Sequence, residues 1–229
     1  MRKFTWGAAA AVLTVGVLTG CSSAADKETA ASAPASPSPS VSAPASASAP
    51  AAKGAGKSDG GWKKADTRIG DAGTACELPI SFEAVKAWKP TGLSREDGEL
   101  LGKFSGHKTF RGACELDAKP AGNIGFIRVW TADNMTDKSP RQVLEAFTSE
   151  VKQVSDQQFS DIKAGELAAA EVVYKVKTIL ADEPKPERAL AVTTPKGVTV
   201  VHLGGFDAQE YQEMLPAYEQ AKKTVRLAS

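Results

Sequence analysis

Between Cys21 and Trp62 the chain reads SSAADKETAASAPASPSPSVSAPASASAPAAKGAGKSDGG, where Val41 is the only large aliphatic residue and no aromatic occurs. Such a segment cannot bury enough apolar surface to offset the entropy of ordering it. It divides the chain into a short leader (1–20), a disordered Ala/Ser/Pro tether (21–61) and one globular domain (62–229). Its prolines favour extended polyproline-II geometry at roughly 3.1 Å per residue, so about forty residues reach on the order of 100 Å. No active site is expected in it. Its composition also matches that of O-glycosylated stalks.

The leader opens with Arg2 and Lys3, followed by an apolar run from Trp6 to Val17. A spanning helix needs roughly 20 apolar residues, so this shorter run reads as the core of a signal peptide. It ends in Leu18-Thr19-Gly20-Cys21, which resembles the lipobox of bacterial lipoproteins. The resemblance implies that Cys21 receives a diacylglyceryl group on its thiol and becomes the first residue once the signal peptide is removed. Two acyl chains hold a protein stably where one holds it marginally. The expected place of such a protein is the outer face of the cytoplasmic membrane. The long tether points to a Gram-positive, actinobacterial cell.

If Cys21 carries lipid, Cys76 and Cys114 remain as a pair in an oxidising compartment, and a disulfide between them is expected. Closing a loop of about 39 residues is worth about 4 kcal/mol in the chain-entropy model. Two isolated cysteines lack the paired spacing of a zinc site, and there is no C-x-x-C. Neither a metal nor a cofactor is expected. With 28 basic against 27 acidic residues, the chain lacks the basic excess of a nucleic-acid binder.

Within the domain, ELPISFEAVKAW (77–88), RGACELD (111–117), NIGFIRVWT (123–131), EVVYKVKTI (171–179), RALAVTT (188–194) and GVTVVHLGG (197–205) read as strands. The last three form an antiparallel meander, with ADEPKPE (181–187) as a turn and Pro195-Lys196 as a tight connection. Ser139, Pro140 and Gln142 give a capping box for a helix whose apolar stripe is Val143, Leu144, Phe147, Val151 and Val154. Asp207 and Glu210 begin a second helix, which Pro216 is expected to break or restart. The fold class is α+β, an antiparallel sheet with helices packed on it. The Ser139-Pro140 start after a strand, the long hairpins and the closing Pro216 helix, over 76–227, resemble the PsbP-like fold of small actinobacterial lipoproteins. That resemblance implies a scaffold for accessory or binding roles, without an activity.

Catalytic patterns fail on inspection. Gly102-Lys-Phe-Ser-Gly106-His-Lys108-Thr109 misplaces the spacing and lysine of a phosphate-binding loop, and Lys103 stands where a nucleophile elbow around Ser105 needs glycine. His107, in the glycine-rich GKFSGHKTFRG, reads as a surface residue of a flexible loop, with part of a site as the alternative. His202 reads as a partly buried strand residue. Glu96, Asp97 and Glu99 in the 89–113 loop, and Asp182, Glu183 and Glu187 in the turn, read as solvated acids; a glycosidase would need two opposed across a cleft. Trp62, Trp88 and Trp130 read as core rather than a sugar or peptide groove. No ligand-binding residue is assigned, and the segment 89–113 is the first place to look for a site. The expected protein is a non-enzymatic binding or accessory module for an envelope protein or small ligand. A cell-wall hydrolase and a passive surface component are the alternatives.

Overall fold

The computed structural model describes residues 67–179 and 183–229. The segment 1–20 expected as a signal peptide, Cys21, the expected 21–61 tether, Trp62 and Asp182 lie outside the described residues.

Ten strands and three α-helices follow in the order β1 (Thr67–Ile69), β2 (Ile80–Ala84), β3 (Lys89–Gly92), α1 (Arg95–Ser105), β4 (Arg111–Asp117), β5 (Phe126–Ala132), α2 (Pro140–Glu150), β6 (Val154–Ala164), β7 (Leu167–Val176), β8 (Lys185–Thr194), β9 (Gly197–Gly204), α3 (Ala208–Lys223) and β10 (Arg226–Leu227). A large antiparallel sheet has the order β3-β4-β5-β9-β8-β7-β6, and β1-β2-β10 form a small one. The α+β expectation is therefore met.

Side-chain alternation gives the large sheet two buried faces. Leu190, Val192, Val201 and Leu203 meet α3 through Tyr211, Met214 and Tyr218, together with Ile80 and Phe82 of the small sheet. Ala189, Ala191, Val198 and Val200 meet α2 through Val143, Leu144 and Phe147. The bridge between Cys76 and Cys114 joins the segment before β2 to β4, with the two Cα atoms 5.8 Å apart.

α2 begins as its sequence dictates. The Ser139 hydroxyl accepts from the Gln142 N–H while the Gln142 side chain accepts from the Ser139 N–H. It stops at Glu150, so Val151 and Val154 do not extend its stripe; Val154 already opens β6. β6 is a strand the periodicity does not reveal, because it is an edge strand and most of its residues are exposed. Pro216 neither breaks nor restarts α3, which runs through it. The carbonyl four residues earlier, on Gln212, loses its helical donor, but both residues are exposed and water can satisfy it.

The 89–113 segment is not a loop. It holds β3 and α1, capped by Ser94, whose side chain accepts from the Asp97 N–H, and closed by Gly106 at φ 86°. Gly98 and Gly102, four residues apart on one face, act as packing contacts. A Cβ on Gly98 would lie 2.0 Å from the Gly112 carbonyl oxygen, and one on Gly102 would lie 2.6 Å from that of Phe110. Their missing side chains let α1 lie directly on β4.

Candidate functional site

Because α1 sits so close to β4, one flank of the helix overhangs the start of that strand. Arg95, Glu99 and Lys103 recur every four residues along this flank. With His107, Lys108, Thr109, Arg111, Asp133 and Lys152 they line a cavity of about 640 Å³. Arg95 binds Glu99 at 3.1 Å and Asp133 at 2.8 Å, and Arg111 reaches Asp133 at 3.4 Å. Hydrogen bonding from Arg95, with Arg111 adding to it, holds the Asp133 carboxyl below the usual carboxylate range.

Five cationic side chains thus face two carboxylates, and both acids are already engaged by arginines. Lys103, Lys108 and Lys152 have no side-chain partner among the described residues. Arg111 Nε is buried without a hydrogen-bond partner. An unpaired ammonium attracts an anion most strongly where low-dielectric walls limit screening. A second cavity of about 450 Å³ lies on the other side of the Arg111–Asp133 pair, lined also by Thr131, Pro195 and Lys196.

The rim of the first cavity is fixed by Glu150 at the end of α2. Its carboxylate accepts from the backbone N–H groups of Lys108 (2.9 Å) and Thr109 (3.1 Å) and from the Thr109 hydroxyl (2.5 Å). Burial pushes Glu150 up, but these bonds outweigh it and leave the carboxyl below its ordinary value. His107 is not a surface residue. It is 4% exposed, stacked on Phe147 with ring centroids 4.3 Å apart and tilted against Trp130 at 4.8 Å. Burial, reinforced by the charge of His202, lowers its pKa to about 4. At neutral pH the imidazole is uncharged, with Nδ1 3.4 Å from Glu150.

His202 is half-buried, as expected, and its partner is a surprise. Glu187 does not sit in a solvated turn, because β8 already starts at Lys185 and Glu187 is 8% exposed. His202 Nε2 lies 2.9 Å from Glu187 and 3.1 Å from the Tyr174 hydroxyl, and the Lys185 ammonium donates to Glu187 at 2.6 Å. Burial pushes the Glu187 carboxyl up, yet His202 and Lys185 together keep it well below its usual range. Neither residue lines either cavity described above. The cluster reads as a satisfied buried polar network. Glu210, a helix-start residue in the sequence, has a similar part. Its side chain accepts from the N–H groups of Ile124, Gly125 and Phe206, so one carboxylate ties the β4–β5 loop to the β9–α3 loop.

Glu96, Asp97 and Glu99 are exposed on α1, and only Glu99 reaches the cavity. Trp88 and Trp130 are buried core residues, 3% and 1% exposed. The cationic constellation escaped the sequence because its members come from α1, the turn after it, β4 and the segment after α2. The Ser94 cap followed by Arg95, Glu99 and Lys103 was the local signal available.

Fold and bridge together define an α+β domain stapled by a disulfide. The chain belongs to a family of uncharacterised lipoproteins, whose model matches residues 43–225. No curated protein matches it. Among solved structures it is similar to the solution structure of cyanobacterial PsbP (CyanoP) from Synechocystis sp. PCC 6803. The TM-score is 0.41 and the identity 7%, over 70% of this chain and 91% of that one. A score that low carries no further weight.

Proposed function

We propose that this lipoprotein is a non-enzymatic binding module of the cell envelope, held at the outer face of the cytoplasmic membrane by a diacylglyceryl group on Cys21. In this reading residues 1–20 are its signal peptide, 21–61 its tether, and an actinobacterial cell its host. The ligand presents an anionic group, on a small molecule or an envelope protein, to the cavity beside α1. The observation that carries this is the surplus of Lys103, Lys108 and Lys152 over carboxylates that Arg95 and Arg111 already occupy. The hydrolase alternative has less support. The acid nearest His107 is Glu150, whose oxygens are taken by Lys108 and Thr109, and His202 and Glu187 are enclosed under α2.

Two measurements test the reading. The mass of the mature chain from native membranes must show an acyl increment on Cys21. Titration calorimetry of the detergent-solubilised protein with inorganic pyrophosphate should give binding that weakens with salt. The triple variant Lys103→Gln/Lys108→Gln/Lys152→Gln should lose roughly tenfold or more in affinity. A mature chain without acyl mass refutes the anchor, and binding indifferent to all three lysines refutes the site.

A further inference from the structure

The outer face of α1 carries two large apolar side chains that the fold leaves in water. Leu100 is 51% and Phe104 is 82% exposed. Four residues apart, they share one face of the helix, and it is turned away from the Gly98–Gly102 face that lies on β4. Single exposed apolar residues are ordinary on any protein surface. Here the two are held on a rigid helix beside cations without partners. Lys103 precedes Phe104 and lies on the cavity flank, and Lys108 follows the helix cap. Apolar tips with lysines at their C-terminal end match the interface between anionic headgroups and acyl chains.

We infer that the C-terminal half of α1 docks on an anionic phospholipid surface. Leu100 and Phe104 enter the boundary between headgroups and chains, and Lys103, Lys108 and Lys152 pair with lipid phosphates, one of which occupies the cavity. This rests on the anionic-ligand reading above and narrows the anion to a lipid phosphate. A soluble anion would fill the cavity yet give Phe104 no reason to stand in water. A protein partner needs on the order of 1,000 Å² of complementary surface, and two side chains do not supply it. A membrane needs far less, because a chain already tethered to it meets it at an effective concentration on the order of millimolar. The acidic end of the helix sets the orientation. Glu96 and Asp97 lie one turn before Leu100 and eight and seven residues before Phe104, about 10–12 Å from Phe104 along the axis, so the helix tilts with Phe104 entering deepest and the acidic end held away from the phosphates.

The test uses the mature chain from residue 22 onward, which lacks only the acylated cysteine and contains every described element. It is sedimented with vesicles of phosphatidylcholine, with and without phosphatidylglycerol, while circular dichroism checks that each variant is folded. The expected result is at least about tenfold stronger partitioning onto phosphatidylglycerol vesicles, weakened by salt. Leu100→Ser/Phe104→Ser should reduce it by about tenfold. The three-lysine variant should reduce it by about a hundredfold, near fivefold per lysine. Equal binding to both vesicle types, or no effect of Leu100→Ser/Phe104→Ser, overturns the inference. Lysine-dependent pyrophosphate binding without vesicle binding overturns the lipid inference alone. If the lysine variant changes neither, both readings fall.

Discussion

Lowering the pH should unfold this domain earlier than its carboxylates require, and His107 is the reason. Free histidine titrates near 6.5, whereas the buried His107 is held down to about 4. Between those values the unfolded chain takes a proton that the folded chain refuses. Stability is therefore complete above about pH 6.5 and is lost as the pH falls toward 4, below which both states are protonated. The gap between 6.5 and about 4 corresponds to about 3 kcal/mol, of which about 2 falls between pH 7 and 4.5. His107→Phe removes the proton site and keeps an aromatic ring against Phe147, Phe110 and Trp130. Urea unfolding of both proteins at several pH values isolates the effect, since every other titrating group is common to the pair. At neutral pH the two should differ by about 1 kcal/mol or less. At pH 4.5 the wild type should have fallen by about 2 kcal/mol more than the variant. Parallel stability curves over this interval would refute the argument and mean that the imidazole takes its proton without hindrance where it lies.

Four further outcomes follow from the packing. Cys114→Ser opens a cross-link spanning 38 residues of sequence and should cost about 4 kcal/mol, read by urea unfolding. Glu210→Gln turns an amide donor toward N–H groups that now meet oxygens; a loss of about 2 kcal/mol and faster amide exchange at Ile124, Gly125 and Phe206 are expected. Gly98→Ala improves helix propensity by about 1 kcal/mol, yet its Cβ would lie 2.0 Å from the Gly112 carbonyl oxygen, so thermal melting should show net destabilisation. Pro216→Ala restores a helical donor and should stabilise the protein by about 1–2 kcal/mol, visible as a higher urea midpoint.

What the sequence disclosed was local. The Ser139 capping box lies within one helical turn, and the meander β7-β8-β9 is joined by short connections, so neighbouring residues suffice to specify both. The disulfide was legible because the resemblance of residues 18–21 to a lipobox set one of the three cysteines apart. What stayed hidden depends on distant residues. In the sequence α1 reads as a loop because Gly98 and Gly102 look like breakers until β4 lies against them. Glu187 reads as a solvated acid because Pro184 and Pro186 flank Lys185 like a turn; its burial is compensated by His202, fifteen residues away. His107 gave no sign of an aromatic nest built from β5 and α2. The cavity is a meeting of five segments, so no single window of sequence contains it.

β6 ends the large sheet with eleven residues, a long open flank of the kind through which sheets of separate molecules fuse. If Cys21 anchors the chain as proposed, its copies diffuse in two dimensions and collide far more often than free ones. This flank resists fusion by several devices at once. Asp156, Asp161 and Lys163 stand exposed along it, the register shifts between Ser155 and Gln158, and Asp156 takes a left-handed backbone at φ 53°. An incoming strand would have to desolvate these charged side chains, and the kink spoils its alignment, so neighbouring copies can remain separate molecules.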